Sequence, residues 1–419
     1  MAEVTPAAEA RAHAPLTGRA ATERQLHDRH MVEADFDLAP FTIAWEVTRA
    51  CAFACVHCRA DAQHTRDPNE LTTGEGLRLL DRFKAFGGPD HPGPIVVFTG
   101  GDPMMRRDLF DLIRHATDLG LRASLTPTAT ALPTVERLRQ AMEAGVRRIA
   151  LSLDAPAPEI HDAFRQVPGS WARTMQILRN AQAVGLSAQI NTTVTRHNLD
   201  RLPEMVQFVK EVGAVQWSVF FLVPTGRGQI RDMITPEEHE RVFHWLYDLS
   251  QAGSFDIKAT AAPMYRRVAI ERKRADLTPC PGLTPPPPAS PDEKRQEGRE
   301  GPGVGGEVAF QGAGFQYADG LNRSVKGVND GRGFLFISHV GEIMPSGFLP
   351  IAAGNVREVD VVETYRHHPL FTALRDPARL KGKCGRCEYR VVCGGQRGRA
   401  FALTGDYLET DPACLYEPN

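Results

Sequence analysis

No stretch of this chain approaches the ~20 consecutive apolar residues that a membrane-spanning helix requires. Charge of one sign is missing too: 49 basic residues face 51 acidic ones, a formal net of -2. That balance argues against a general polyanion or nucleic-acid binder and leaves room only for a local basic patch. Internal repeats are absent, so a repeat architecture is not expected. The N-terminal MAEVTPAAEARAHAP has no apolar signal-peptide core, and its Glu3 and Glu9 suit a transit peptide poorly. A cytoplasmic protein is expected. What is present is a 42% hydrophobic, 24% charged composition, which permits a packed core and excludes wholesale disorder. At ~150 residues per domain, the length of 419 suggests roughly two to three domains.

Between residues 41 and 225 two periods alternate. Strand-like runs are FTIAWEVT (41–48), PIVVFT (94–99), LRASLT (121–126), VRRIALSL (146–153), LSAQINTTV (186–194) and VQWSVFFLV (215–223). Amphipathic helical stretches lie between them at 72–86, 106–119, 133–144, 170–184 and 199–212. Gly120, Gly145, Gly185 and Gly213 each stand between a helix and the next strand, where a left-handed cap is expected. The pattern predicts right-handed βαβ units, a parallel sheet and the α/β class. Six units are too few for a closed eight-stranded barrel. An open, partial (β/α)6 TIM-like barrel is predicted, with functional loops at the C-terminal ends of its strands.

The organisation read from the sequence is an N-terminal, partly disordered arm (1–40), the barrel (41–228) and a helical linker (229–283). A mobile Pro/Gly-rich loop (284–308) and a small cysteine-rich α+β extension (309–419) follow. In the linker, Thr235 and Glu238 form a capping box for a helix over 235–251. TPPPPASPDEKRQEGREGPGVGGE makes the loop. The extension opens on GFLFISHVGEIMPSGFLP, a strand–turn–strand pattern turning at Val340, Gly341 and Glu342.

Eight cysteines fall as a tight trio, a lone residue and a looser quartet, and in a reducing compartment such groups point to metal or cluster ligation before disulfides. The trio is Cys51-x3-Cys55-x2-Cys58, directly after the first strand. At this cysteine frequency that spacing arises by chance on the order of 0.003 times per chain. It reads either as three buried thiols or as three thiolates on three irons of a [4Fe–4S] cluster. Such clusters normally take four thiolates, so a trio leaves one iron open for chemistry.

The trio resembles the signature of the radical S-adenosylmethionine (SAM) superfamily. The resemblance implies that SAM chelates the open iron and is cleaved by one electron to a 5′-deoxyadenosyl radical that abstracts hydrogen from substrate. It also implies an external one-electron donor of flavodoxin or ferredoxin type. His57 stands where the family usually has an aromatic residue. Thr99-Gly100-Gly101-Asp102-Pro103 is similar to the family's Gly-Gly-Glu segment at the SAM amino group, with Asp102 one methylene shorter. Ser152-Leu153-Asp154 is similar to a segment near the SAM ribose and carboxylate, so Ser152 and Asp154 are cofactor-binding candidates. Arg165, in HDAFRQVPGSW, resembles an Arg that reaches the SAM carboxylate. Thr126, Thr128 and Thr193 are further strand-end candidates, and Pro224-Thr225-Gly226-Arg227-Gly228 is similar to a segment near the adenine.

The quartet is Cys384-x2-Cys387-x5-Cys393 with Cys414 twenty-one positions later, and two readings stand. One is a structural zinc site. The other is a SPASM-like extension, which resembles this pattern and implies an auxiliary [4Fe–4S] cluster. Ser346 and Gln396 occupy positions where the full extension has further cysteines, which implies one auxiliary cluster; Cys280 reads as a non-ligand thiol. HVGEIMPSGFLP, GNVRE and CGRCEYRVVCGGQRGRA resemble radical SAM enzymes of the haem d1 and alternative haem pathways, which act on propionate side chains of tetrapyrroles. The leading expectation is therefore a radical SAM enzyme attacking a propionate of a haem-like tetrapyrrole. Its rivals are a maturase of a ribosomally made peptide and, from another class, a non-enzymatic metal-binding scaffold. No catalytic acid or base is marked by the sequence.

Overall fold

A computed structural model describes residues 31–32, 35–88, 93–252, 256–275, 323–324 and 327–418. Most of the N-terminal arm, Cys280 and the Pro/Gly-rich loop lie outside the described residues.

The six strand-like runs form β1 (Thr42–Glu46), β2 (Ile95–Thr99), β3 (Arg122–Leu125), β4 (Val146–Ser152), β5 (Ser187–Val194) and β6 (Gln216–Phe221). They lie side by side in chain order and pair parallel throughout. The crossovers carry α1 (Thr73–Lys84), α2 (Leu109–Asp118), α3 (Val135–Glu143), α4 (Pro158–Arg165), α5 (Ser170–Ala183) and α6 (Leu202–Glu211). Gly120, Gly145, Gly185 and Gly213 all adopt positive φ, as their place between helix and strand requires. Trp45, Phe98, Ile149, Ile190 and Trp217 are fully buried in the core between sheet and helices.

The sheet is longer than six strands. After α7 (Pro236–Ala252), β7 (Asp256–Thr260) adds parallel to β6 and leads into α8 (Met264–Ala275). Thr235 and Glu238 make the expected capping box at the start of α7 (2.7 and 3.2 Å). On the opposite edge β8 (Phe334–Ile337) pairs parallel with β1, and β9 (Ile343–Met344) returns antiparallel to β8. The order is β9-β8-β1-β2-β3-β4-β5-β6-β7, an open, mostly parallel sheet that bears out the partial-barrel expectation. The strand in the stretch read as a helical linker escaped notice because DIKAT is short and polar. Its pairing is tertiary: Gln216 donates to Asp256 (2.5 Å) and Ser218 and Thr260 share a hydroxyl bond (2.8 Å). Past the hairpin come α9 (Val361–His367), α10 (Pro369–Arg375), α11 (Gly382–Arg386) and α12 (Arg397–Thr404). Among the described residues no helix is long and apolar enough to cross a membrane.

Candidate active site

The chain leaves β1 into the loop that carries Cys51, Cys55 and Cys58. Its base is a backbone ladder, Cys51 N–H to Gln63 carbonyl (2.7 Å) and Gln63 N–H to Arg49 carbonyl (3.0 Å). Its outer turn is strapped by Arg227. That guanidinium donates to the Cys55 carbonyl (3.0 Å), the Ala62 carbonyl (3.1 Å) and Asp61 (3.1 Å), while the Arg227 N–H donates to the Cys58 carbonyl (3.0 Å). Gly226 has φ +63°, and a Cβ there would sit 2.4 Å from the carbonyl oxygens of Cys58 and Arg59. The Pro224–Gly228 segment thus fastens the cysteine loop.

All three cysteines line one cavity of about 230 Å³ at the C-terminal ends of the strands. Gly100, Gly101, Thr126, Thr128, Ser152, Arg165 and Thr193 line it as well. The alternation of SAQINTTV explains one wall: Ala188, Ile190, Thr192 and Val194 are buried, leaving Asn191 and Thr193 on the cavity side. Donors point at each sulfur: the N–H of Phe53 at Cys51 (3.3 Å), the N–H of Ala62 at Cys58 (3.5 Å) and Arg165 Nη1 at Cys55 (3.8 Å). Burial pushes the Cys51 thiol up to about 11 and raises Cys55 as well. Cluster assembly there must therefore displace protons. Three sulfurs facing one space, each with a donor toward it, suit a cluster's thiolates. Among the described residues no three His, Cys, Asp or Glu groups converge at single-ion distances, and thiolates that each hold a different iron need not do so.

The Gly-Gly turn packs against the start of the loop. Gly101 N–H donates to Thr48 (2.8 Å) and Asp102 N–H to Ala50 (2.7 Å), and a Cβ on Gly100 would lie 2.3 Å from the Thr48 carbonyl. Asp102 itself is fully buried and turns away from the cavity. Its carboxylate accepts from Thr130 Oγ1 (2.9 Å), Met104 N (3.1 Å) and Thr128 N (3.4 Å), bracing the segment after β3. Burial, outweighing these bonds, raises its pKa.

Asp154 is likewise fully buried, held by Arg165 through Nε and Nη2 (both 2.7 Å) and by the Thr193 N–H (3.1 Å). Burial pulls its pKa up, but the Arg165 charge, helped by the Thr193 N–H, keeps the carboxylate below its ordinary range. Asp154 thereby aims Arg165 at the cavity. His57 stacks on Phe164 (4.2 Å, 12°), and burial reinforced by Arg165 takes its pKa to about 3, so it packs as a neutral ring.

Lining residues that the sequence did not mark include His161, Asn191, Arg59 and Phe348. Asn191 was recoverable from the strand alternation and Arg59 from its place beside Cys58. No local signal marks Phe348, which comes from the C-terminal hairpin. Arg59 pairs with the buried Glu46 (2.9 Å) and lies over the Phe336 ring (4.6 Å), and His339 reaches the same Glu46 (3.0 Å). These contacts join the extension to the cysteine loop.

Cys384, Cys387, Cys393 and Cys414 line a second, smaller cavity of about 20 Å³. The Gly395 N–H points at Cys393 (3.4 Å) and Arg397 Nη2 at Cys384 (3.5 Å). Burial pushes Cys393 up to about 12 and Cys414 to about 11. All seven described cysteines are free thiols. Ser346 and Gln396 are buried and stand outside this cavity, Ser346 Oγ accepting the N–H groups of Phe348 (3.1 Å) and Leu349 (3.2 Å).

A cysteine trio on the first loop of an open parallel barrel, with a glycine turn and an aimed arginine around it, is the layout of a radical SAM enzyme. The chain belongs to the radical SAM superfamily, whose family model matches residues 45–209. Members bind a [4Fe–4S] cluster with SAM and draw an electron from an external donor. Among its relatives, an "AdoMet-dependent heme synthase" of Oleidesulfovibrio alaskensis is 41% identical over 378 residues, 90% of this chain and 87% of that one. Another of that name from Methanosarcina barkeri is 38% identical over 91% of this chain and 97% of its own length. Among solved structures, Streptococcus suis SuiB bound to precursor peptide SuiA superposes with a TM-score of 0.61 at 15% identity, covering 99% of this chain and 85% of that one. That likeness concerns the fold. An enzyme, not a passive metal scaffold, is what the family membership defines.

Proposed function

We propose that the protein converts propionate arms of an iron porphyrin to vinyl groups. The observation that carries this reading is the 41% identity to a haem synthase across most of both chains. The arm's β-carbon loses a hydrogen atom, the arm then gives up one electron, and CO₂ leaves as the double bond forms. The bound cluster and SAM supply the one-electron cleavage and the hydrogen abstraction. The electron released goes to a one-electron acceptor of iron–sulfur or flavin type.

The chain's own residues bind and orient. Cys51, Cys55 and Cys58 hold the SAM cluster. Arg165, aimed by Asp154, presents its guanidinium to the SAM carboxylate. Gly100 and Gly101 let backbone approach the SAM amino end, and Ser152 and Thr193 offer hydroxyls to the ribose. Asp102 acts through Thr128 and Thr130 as a positioning residue. Leu222, Val223 and Phe348 exclude water from the opposite wall. The quartet holds one auxiliary [4Fe–4S] cluster, and the external donor is of flavodoxin or ferredoxin type. Oxygen-labile clusters on free thiols fit a cytoplasmic location.

The test is anaerobic incubation of the reconstituted protein with iron coproporphyrin III, SAM and reductant. Vinyl-bearing product with stoichiometric 5′-deoxyadenosine is expected. An untouched porphyrin, with a short precursor peptide cross-linked or cleaved instead, would transfer the assignment to peptide maturation.

A further inference from the structure

Seven large apolar side chains are exposed among the described residues, and three of them sit at the quartet. Val391 (54% exposed) and Val392 directly precede Cys393, and Leu415 directly follows Cys414. Exposed apolar residues scattered singly need no explanation, but a group around one centre does. The two segments are joined by Tyr389 and Tyr416, whose rings meet edge to face at 5.6 Å. Cys387 and Cys414 are half-buried, so this rim is also where the quartet's cover is thin. The valines are held in place from behind. Arg266 donates to the Val392 carbonyl (3.0 Å) and Arg332 to the Val391 carbonyl.

The free charge on the rim is mostly positive. Arg386 and Arg390 are exposed, and among the described residues neither pairs with a carboxylate. Of the acids beside them, Glu417 pairs with Lys383 (2.9 Å), while Glu388 accepts from the Tyr416 hydroxyl and keeps its charge, so the two arginines outweigh one carboxylate. On a chain whose formal net charge is -2, this is a local positive surface with an apolar centre. Such a surface suits a partner with an apolar tip inside an acidic ring.

We propose that the Val391–Val392–Leu415 rim, with Arg386 and Arg390, is the docking surface for an acidic one-electron carrier protein. The carrier seats its cofactor edge against the thin cover of the quartet, and its reduced flavin would pass one electron to the cluster held there, the cluster being reduced by one electron as the hydroquinone becomes semiquinone. The inference rests on reading the quartet as an iron–sulfur cluster. Metal analysis of the holoenzyme tests that reading apart from the docking: zinc without acid-labile sulfide would refute the quartet assignment itself.

The docking is tested with the reconstituted full chain and an acidic flavodoxin, measuring binding against ionic strength and semiquinone appearance by stopped flow. The double variant Arg386→Glu/Arg390→Glu is expected to weaken binding about tenfold or more at low salt and to flatten the salt dependence. Its iron content and its dithionite-driven 5′-deoxyadenosine formation should stay at wild-type levels. Reversal of an exposed barrel charge, Arg147→Glu, should leave binding unchanged. A second variant, Val391→Ser/Leu415→Ser, alters no charge and should weaken binding with iron retained; it decides the matter if the arginine variant loses iron. Wild-type binding by the variant that keeps its iron, equal loss in Arg147→Glu, or no flavodoxin binding by the wild type at low salt would each overturn the proposal.

Discussion

Arg165 faces the cavity because a buried carboxylate holds it from behind, and that dependence makes Asp154 informative. Asp154→Asn leaves a mostly buried guanidinium without its counter-charge, which should cost about 3–5 kcal/mol. A lower urea midpoint together with weaker SAM binding is expected, while a change below about 1 kcal/mol would show that Arg165 finds another partner. At this scale the sequence was most legible where one short segment carries the whole signal. The cysteine trio was found from its spacing, Ser152 and Arg165 from the resemblance of their short segments to the radical SAM family, and all of them line the cavity. Asp102 was different. Its inward turn depends on Thr128 and Thr130 arriving from the neighbouring strand, which the local TGGDP segment does not reveal.

The elements between residues 41 and 225 followed from hydrophobic periodicity and from glycines at helix ends, because a parallel sheet buried on both faces leaves long apolar runs. Helix α4 escaped: it is only eight residues long, starts at Pro158, and sets a histidine, His161, beside Phe164 on its buried face. Strand β8 reads as a strand in sequence, yet its partner β1 lies nearly three hundred positions earlier, and no local pattern names such a partner. Helix α7 gives a prediction in pH. His239 is buried, stacks on Phe221 at 5.3 Å and is bonded to the Thr235 carbonyl (2.8 Å); burial takes its pKa to about 4. An unfolded histidine titrates near ~6.5. As pH falls from there, the unfolded chain takes up the proton first, so stability is lost between about 6.5 and the folded value near 4. Urea midpoints should fall over that window, and less steeply in His239→Gln. An identical slope in the variant would show that His239 is not a source of the decline.

At the scale of the molecule, the C-terminal segment is joined to the barrel through sheet pairing and through the Glu46, Arg59 and His339 group, while its cysteines gather in a separate cavity. Cys384→Ala should therefore lower iron to about that of one cluster and open residues 384–414 to protease, with the barrel intact. Unchanged iron accompanied by loss of zinc would contradict this. That the two cysteine groups stand apart was legible from their spacing, and they line separate cavities. That the extension also supplies a wall of the first cavity, through Phe348, was not, because only the assembled fold brings that hairpin to the cysteine loop.

We propose that the trio, set in this cavity, holds the cluster on which radical SAM chemistry in this chain depends. The most direct test is anaerobic 5′-deoxyadenosine formation from SAM and reductant, comparing the reconstituted wild type with the Cys51→Ala/Cys55→Ala/Cys58→Ala variant. Product is expected from the wild type and none from the variant, with the variant's circular dichroism unchanged because the barrel core does not depend on the loop. Undiminished 5′-deoxyadenosine from the triple variant would contradict it.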